Sequence, residues 1–256
     1  MWRVGRSLYM RARNDVPNDM RTNGEIALVK KVLRDSSKPV LFDVGANLGE
    51  WTNLVLAEAP KESSLHAFEP IEATFSALKM NVIDPRARLN RLGLSDSEHS
   101  LTAYEYGSGT NSLHLDPTEP VPNTQSVPTT TLDRYAIENG IEEITYLKCD
   151  TEGHDLAVLR GSSDALQAGV IGVFQFEYNH RWIFSRGYLL DVFELIADLP
   201  YFLGKIIPGG IEVFDEWHPE LERFFEGNYA LVRNDLKGRL PLFFGTFDAS
   251  NTYTAR

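Results

Sequence analysis

The sequence predicts an α/β fold, a doubly wound, mainly parallel sheet with an antiparallel edge. Three observations lead there. Short apolar runs of strand length alternate with helical patterns through the middle of the chain. The first run, residues 39–45 (PVLFDVG), stops abruptly at a carboxylate and a glycine turn. Further candidate strands also finish on an acidic residue. No linker divides the chain sharply, so residues 1–38 read as an N-terminal helical segment and 39–256 as one domain.

Each element has its own signal. Residues 23–35 carry Ile26, Leu28, Val29 and Val32 at helical spacing, with Asn23 placed to cap the helix. The first strand, 39–45, leads into a helix over 47–59. Residues 64–70 (SLHAFEP) form the second strand, and Pro70 starts a helix over 71–82. Residues 87–96 (ARLNRLGLSD) read as one third strand. Residues 101–106 and 126–135 read as shorter extended pieces. Between them, 107–125 is rich in Gly, Pro and Asn, and a loop of that length in a compact domain usually has a function or moves. Residues 143–150 (EITYLKCD) are the next strand, 153–169 a helix and its exit, and 170–179 (VIGVFQFEYN) a buried strand. A helix near 188–199 follows, and 201–210 with 228–235 read as an antiparallel pair at the sheet edge.

Composition narrows the function. At 43% hydrophobic and 24% charged, the 256 residues are those of an ordinary soluble globular protein. Cys149 is the sole cysteine, so no internal disulfide forms, which fits a reducing compartment and a cytoplasmic location. The net charge of -11 opposes non-specific contact with nucleic-acid phosphate. Residues 1–13 are basic and mildly amphipathic but lack the apolar centre of a signal peptide. They read as a frayed or docking helix, with contact to a membrane surface or acidic partner as the alternative. No apolar run is long enough for a membrane span.

In an open α/β sheet, ligands bind at the carboxyl ends of the strands. Those ends carry Asp43, Glu69, Asp96, Asp150 and Glu177. A pyrophosphate would be repelled by Asp43, and the glycine spacing is G-x-x-x-G (Gly45, Gly49) rather than G-x-G-x-x-G. A cationic nucleoside without phosphate fits better, and S-adenosylmethionine is one. Gly45 and Gly49 would let its methionine portion approach the backbone, and Asp43 would favour its positive groups. Glu69, 24 residues after Gly45, stands where a carboxylate accepts both ribose hydroxyls. The plainer alternative makes Asp43 and Glu69 helix caps and the glycines packing residues.

The stretches FDVGANLGEWT, HAFEP, LGLSD, TTTLDRY and LKCDTEGHDLAVLRG together resemble the FkbM family of S-adenosylmethionine-dependent methyltransferases. The resemblance covers residues 39–179, and its most specific part is the D-x-E-G-x-D run followed by VLRG. It implies a class I (Rossmann-like) methyltransferase fold and, commonly, O-methylation of hydroxyls on sugars or secondary metabolites. By position it implies that Asp43, Gly45, Asn47 and Gly49 line the methionine portion, that Glu69 holds the ribose, and that Ser95 and Asp96 lie beside adenine. The chain departs from the family pattern at Cys149, Thr151 and His154, which bears on the substrate rather than the cofactor.

A hydroxyl acceptor needs its proton removed, and Asp150, ending a strand near the methyl, is the leading base. His180 is the alternative, because imidazole titrates near neutral pH. Glu177 and Asn179 would face the acceptor, with Tyr178 and Trp182 as an aromatic wall or as core. Glu152 and His154 read as first-turn helix residues, the former favourable with the dipole and the latter exposed. Asp150 and Glu177 would suit a divalent ion such as magnesium, but no loop shows established metal spacing, so the sequence leaves a metal open without predicting one. The loop over 107–113 reads as a lid or acceptor contact. The acceptor class is a small molecule or glycan. Competing readings are an NAD-dependent oxidoreductase, a non-catalytic nucleoside-binding module and, against the net charge, a nucleic-acid methylase.

Overall fold

The computed structural model describes residues 1–107, 109–120, 122–249, 251 and 253–255. Ser108 and Val121, within the long loop expected from the sequence, lie outside the described residues. In chain order the elements are α1 (Trp2–Ala12), α2 (Glu25–Leu33), β1 (Val40–Val44), α3 (Glu50–Glu58), β2 (Ser64–Phe68), α4 (Glu72–Asn81), β3 (Ala87–Asn90) and β4 (Gly93–Leu94). They continue as β5 (Ser100–Glu105), β6 (Asn123–Thr130), α5 (Leu132–Glu138), β7 (Ile144–Cys149), α6 (Asp155–Arg160), α7 (Ser163–Gln167) and β8 (Ile171–Tyr178). The last are α8 (Trp182–Ser185), α9 (Leu189–Ile196), β9 (Tyr201–Ile207), β10 (Gly210–Phe214), β11 (Gly227–Arg233), β12 (Leu242–Phe247) and β13 (Tyr253–Ala255).

The main sheet runs β13-β12-β10-β9-β11-β8-β7-β1-β2-β3. From β3 to β8 every neighbouring pair is parallel. β11 then pairs antiparallel with both β8 and β9. Parallel strands covered by helices are buried on both faces, so they read as continuous apolar runs. β8, buried along its whole length, is the clearest case. Successive residues feed opposite layers. Phe42, Leu147 and Phe174 pack with α5, α6, α7 and α9, whereas Leu41, Tyr146 and Val173 pack with α2, α3 and α4.

The structure corrects four local expectations. Residues 87–96 do not form one strand: β3 leaves the main sheet after Asn90, and Gly93 pairs with Thr129 in a small sheet, β4-β6-β5. Residues 132–135 are helical rather than extended, because the hydroxyl of Thr131, itself still extended, accepts the Arg134 N–H at 3.1 Å and starts α5. Asn23 does not cap α2 from the N-cap position, which Gly24 takes at φ +108°, although the Asn23 side chain accepts the Glu25 N–H at 3.0 Å. The antiparallel pair β9/β11 is present but lies inside the sheet, since β10, β12 and β13 extend it further. Among the described residues, no helix is long and apolar enough to cross a membrane.

Candidate active site

The parallel register sets Asp43 of β1 directly beside Lys148 of β7. Asp43 is fully buried, and the Thr52 hydroxyl donates to its Oδ2 at 2.6 Å. Among the described residues its Oδ1 has no partner. Burial pushes its carboxyl above the ordinary range, against the pull of Lys148. The Lys148 ammonium donates to Asp150 Oδ2 at 2.9 Å. Burial disfavours its charge, but Asp150, Asp43 and Glu25 together hold it protonated well above the usual lysine value.

Past β1 the chain turns at Gly45, φ +80°, whose N–H donates to Phe68 O at 3.0 Å. A Cβ there would stand 1.9 Å from the Asp150 carbonyl oxygen. At Gly49, φ +85°, a Cβ would stand 2.3 Å from Val82 Cγ2. Protein packing therefore demands both glycines. Gly45 also borders the cavity described next, whereas Gly49 does not.

That cavity, about 270 Å³, opens at the carboxyl ends of β1, β2 and β7. Glu69 borders it, 6% exposed, accepting N–H groups from Ile71 at 2.9 Å and Asn47 at 3.2 Å. Burial pushes the Glu69 carboxyl up to about 7, despite those two bonds. Asn47 Oδ1 and Trp51 Nε1, both on lining residues, are buried without partners among the described residues. Three polar atoms around one cavity thus lack partners, a deficit that a polar ligand would repair.

One end of the cavity is apolar, bounded by Phe68, Ile71, Leu92 and Leu94. Ser95 and Asp96 do not line it. Ser95 is buried behind it with Oγ 2.9 Å from His154 Nε2, and Asp96 is exposed. His154, expected to be exposed, is 5% exposed, with Nδ1 3.0 Å from His114 Nε2. Burial, reinforced by His114, depresses it to about 3. Residues 109–113 border the cavity at Gly109, Asn111, Ser112 and Leu113, and the Ser112 hydroxyl donates to Glu152 O at 2.7 Å.

Asp150 and Glu152 give the cavity an acidic border. Glu177 does not line it, but the three residues each bring a carboxylate oxygen within 4.8 Å of the others. Burial pushes Glu152 up to about 8, with Asp150 adding to it and Arg181, 2.5 Å away, opposing. Burial and the charges of Asp150 and Glu152 raise Glu177 well above its ordinary value. Asn18 and Asn179 donate to the two Glu177 oxygens at 2.8 and 2.6 Å. The three carboxylates are the candidate cation ligands among the described residues, but Lys148, Arg181 and the two asparagines already engage them. His180 is exposed, its ring edge-on to Phe184 and outside the cavity lining. Tyr178 and Trp182 are core, buried and T-shaped at 5.0 Å, so they are not an open aromatic wall.

The structure adds residues to which the sequence assigned no role. Lys148 had one visible signal, a lone charge inside the apolar run ITYLKC. Met20 lines the cavity and Asn18 reaches Glu177 from the N-terminal segment, where no pattern announced them.

Comparison with known proteins shows the family and the fold. The family profile for the methyltransferase FkbM domain matches residues 43–223. The hexuronic acid methyltransferase AglP of Haloferax volcanii is 28% identical over 148 residues, 57% of this chain and 59% of that protein. Methyltransferase 1 of Beauveria bassiana is 27% identical over 146 residues, 48% of this chain and 58% of that protein. The chain thus spans under two thirds of the length of the curated relatives it matches. The crystal structure of methyltransferase FkbM from Methylobacillus flagellatus superposes with a TM-score of 0.50 at 16% identity, covering 78% of this chain and 44% of that one. The fold is that of class I methyltransferases, and the match across the strand ends that build the cavity makes this chain a member of the FkbM methyltransferase family.

Proposed function

We propose that the chain is an O-methyltransferase that carries a methyl group from S-adenosylmethionine to a hydroxyl of a sugar or secondary-metabolite acceptor. The observation that carries the reading is the unpartnered, fully buried Asp43 Oδ1 in the same cavity as Glu69. A carboxylate oxygen without a donor suits a ligand with a cationic group and N–H donors. Asp43, Gly45 and Asn47 would hold the methionine portion, and Glu69 the ribose. Gly49 would keep the turn closed against α4. The apolar end would take the adenine, with Ser95 supporting it from behind and Asp96 touching it only through Ser95.

Bound S-adenosylmethionine supplies an activated methyl on a sulfonium leaving group. The chain's own residues must then place the acceptor oxygen and remove its proton. Asp150 stands at the cavity, oriented by Lys148, and takes that proton. Glu152 and Glu177 are close enough to share it. This favours Asp150 over the exposed His180 as base. Met20 and residues 109–113 narrow the opening and exclude water. Such positioning contributes up to about 7–11 kcal/mol in the best cases, and a base typically about 10²–10⁴-fold.

The printed name of the Haloferax relative, a hexuronic acid methyltransferase, supports a sugar-type acceptor. We also infer a cytoplasmic location and a single catalytic domain over 39–256. The test is incubation with S-adenosylmethionine and a panel of uronic and neutral sugars, reading S-adenosylhomocysteine and methylated product. Asp150→Asn should keep cofactor affinity and lose about 10²–10⁴-fold in turnover. Cofactor binding without turnover on any hydroxyl acceptor would favour the non-catalytic module instead.

A further inference from the structure

Among the described residues, α1 is the one α-helix with no buried residue. It has 11 residues, no side-chain cap bond and a glycine, Gly5, in its interior. Helices this short are marginal in water and draw most of their stability from a packed apolar face. This sequence has such a face. Val4, Leu8 and Ala12 recur every four residues, with Trp2 at the near end, while Arg3, Arg6, Ser7 and Arg11 occupy the other side. Trp2, Val4 and Leu8 are 76%, 63% and 64% exposed.

The helix is nevertheless tied to the body. Arg6 sits over the Phe225 ring at 4.6 Å. Immediately after α1, Arg13 lies over the Phe247 ring at 4.5 Å, and Asp15 accepts two bonds from Arg223 at 2.8 and 2.9 Å. Arg3, Arg6 and Arg11 line a cleft of about 580 Å³ against Ile207 and Pro208. The first fourteen residues hold four arginines and no acid, whereas the whole chain carries a net charge of -11.

We propose that α1 docks on an anionic lipid surface, with Trp2, Val4 and Leu8 entering the boundary between headgroups and acyl chains while Arg3, Arg6 and Arg11 meet lipid phosphates. The charge distribution selects this occupant. A second copy packing α1 on α1 would bring two arginine rows together. An acidic protein patch would match the arginines but leave the apolar residues in water. A helix with separated apolar and arginine faces satisfies both at a lipid interface. The apolar stripe is short, so binding is reversible and needs both contributions. This inference is independent of the cavity and of the reaction assigned to it.

The experiment is co-sedimentation of the full chain with phosphatidylcholine vesicles, with and without phosphatidylglycerol, at low and high sodium chloride. The wild type should bind only the anionic vesicles and release with salt. Arg3→Gln and Arg11→Gln should each weaken binding about fivefold, the weight of one basic residue at such a surface. Leu8→Ser should weaken it as strongly while leaving thermal unfolding unchanged, because Leu8 touches no core. Equal binding to neutral vesicles, no binding to anionic ones, or wild-type binding by Leu8→Ser would overturn the proposal. Lipid-free dimerisation abolished by Leu8→Ser would assign the face to a second copy and overturn it too.

Discussion

Replacing Gly45 by alanine should damage the site through the backbone alone. Two effects act together. Gly45 has φ +80°, and an L-residue in the left-handed region costs about 1–2 kcal/mol. The new Cβ would also stand 1.9 Å from the Asp150 carbonyl oxygen, a contact that has to open to at least 3.0 Å. The Asp150 N–H is bonded to Val44 O at 2.9 Å, so the opening strains the link between β1 and β7 as it moves the proposed base. The expected loss of stability is about 2–4 kcal/mol, read from urea unfolding. Gly140→Ala is the control. Its φ is +62°, but nothing lies within 4 Å of the added Cβ, so it suffers the conformational effect alone. Equal losses in the two variants, with turnover intact in Gly45→Ala, would refute the reasoning.

Three further outcomes follow from buried ionisable groups. Glu69 is raised from 4.5 to about 7, so cofactor affinity should fall as pH drops through about 7, where the ribose acceptor becomes protonated; calorimetry across that range checks it, and Glu69→Gln should be weaker and flat. His154 is lowered from 6.5 to about 3, so the unfolded chain binds a proton there that the folded chain does not. Its contribution to stability is whole above about 6.5 and shrinks by about 1.4 kcal/mol per pH unit towards 3, which appears as the difference in urea stability between wild type and His154→Gln. Lys148→Met leaves Asp43 and Asp150 without their shared cation and should cost about 3–5 kcal/mol, measured by the same unfolding.

Burial decides what was legible in the sequence. β1, β2, β7 and β8 stood out because covered parallel strands must be apolar on both faces. Their acidic ends put Asp43, Glu69 and Asp150 at the carboxyl edge of the sheet, where the cavity lies. The break between β3 and β4 was hidden, since ARLNRLGLSD keeps a strand-like pattern across it and only the pairing of Gly93 with Thr129 ends the strand. The run TTTLDRY looked extended because threonine favours strands, yet Thr131 caps a helix. Local rules gave Glu152 and His154 as first-turn residues. Glu152 at φ +55° instead turns towards Asp150 and Glu177, and His154 turns in to Ser95. Asn18 reaches Glu177 across more than a hundred residues of chain, and Met20 joins the cavity lining from the same N-terminal segment, a closure that no local pattern encodes.

The central claim is that this cavity holds S-adenosylmethionine through Asp43 and Glu69. Calorimetric titration of the wild type, Asp43→Asn and Glu69→Ala with S-adenosylmethionine tests it most directly. The account predicts one-site binding by the wild type and a loss of about 1.5–3 kcal/mol in each variant, the weight of a hydrogen bond to a charged group. No binding by folded, ligand-free wild type, or equal affinity in all three proteins, would contradict it.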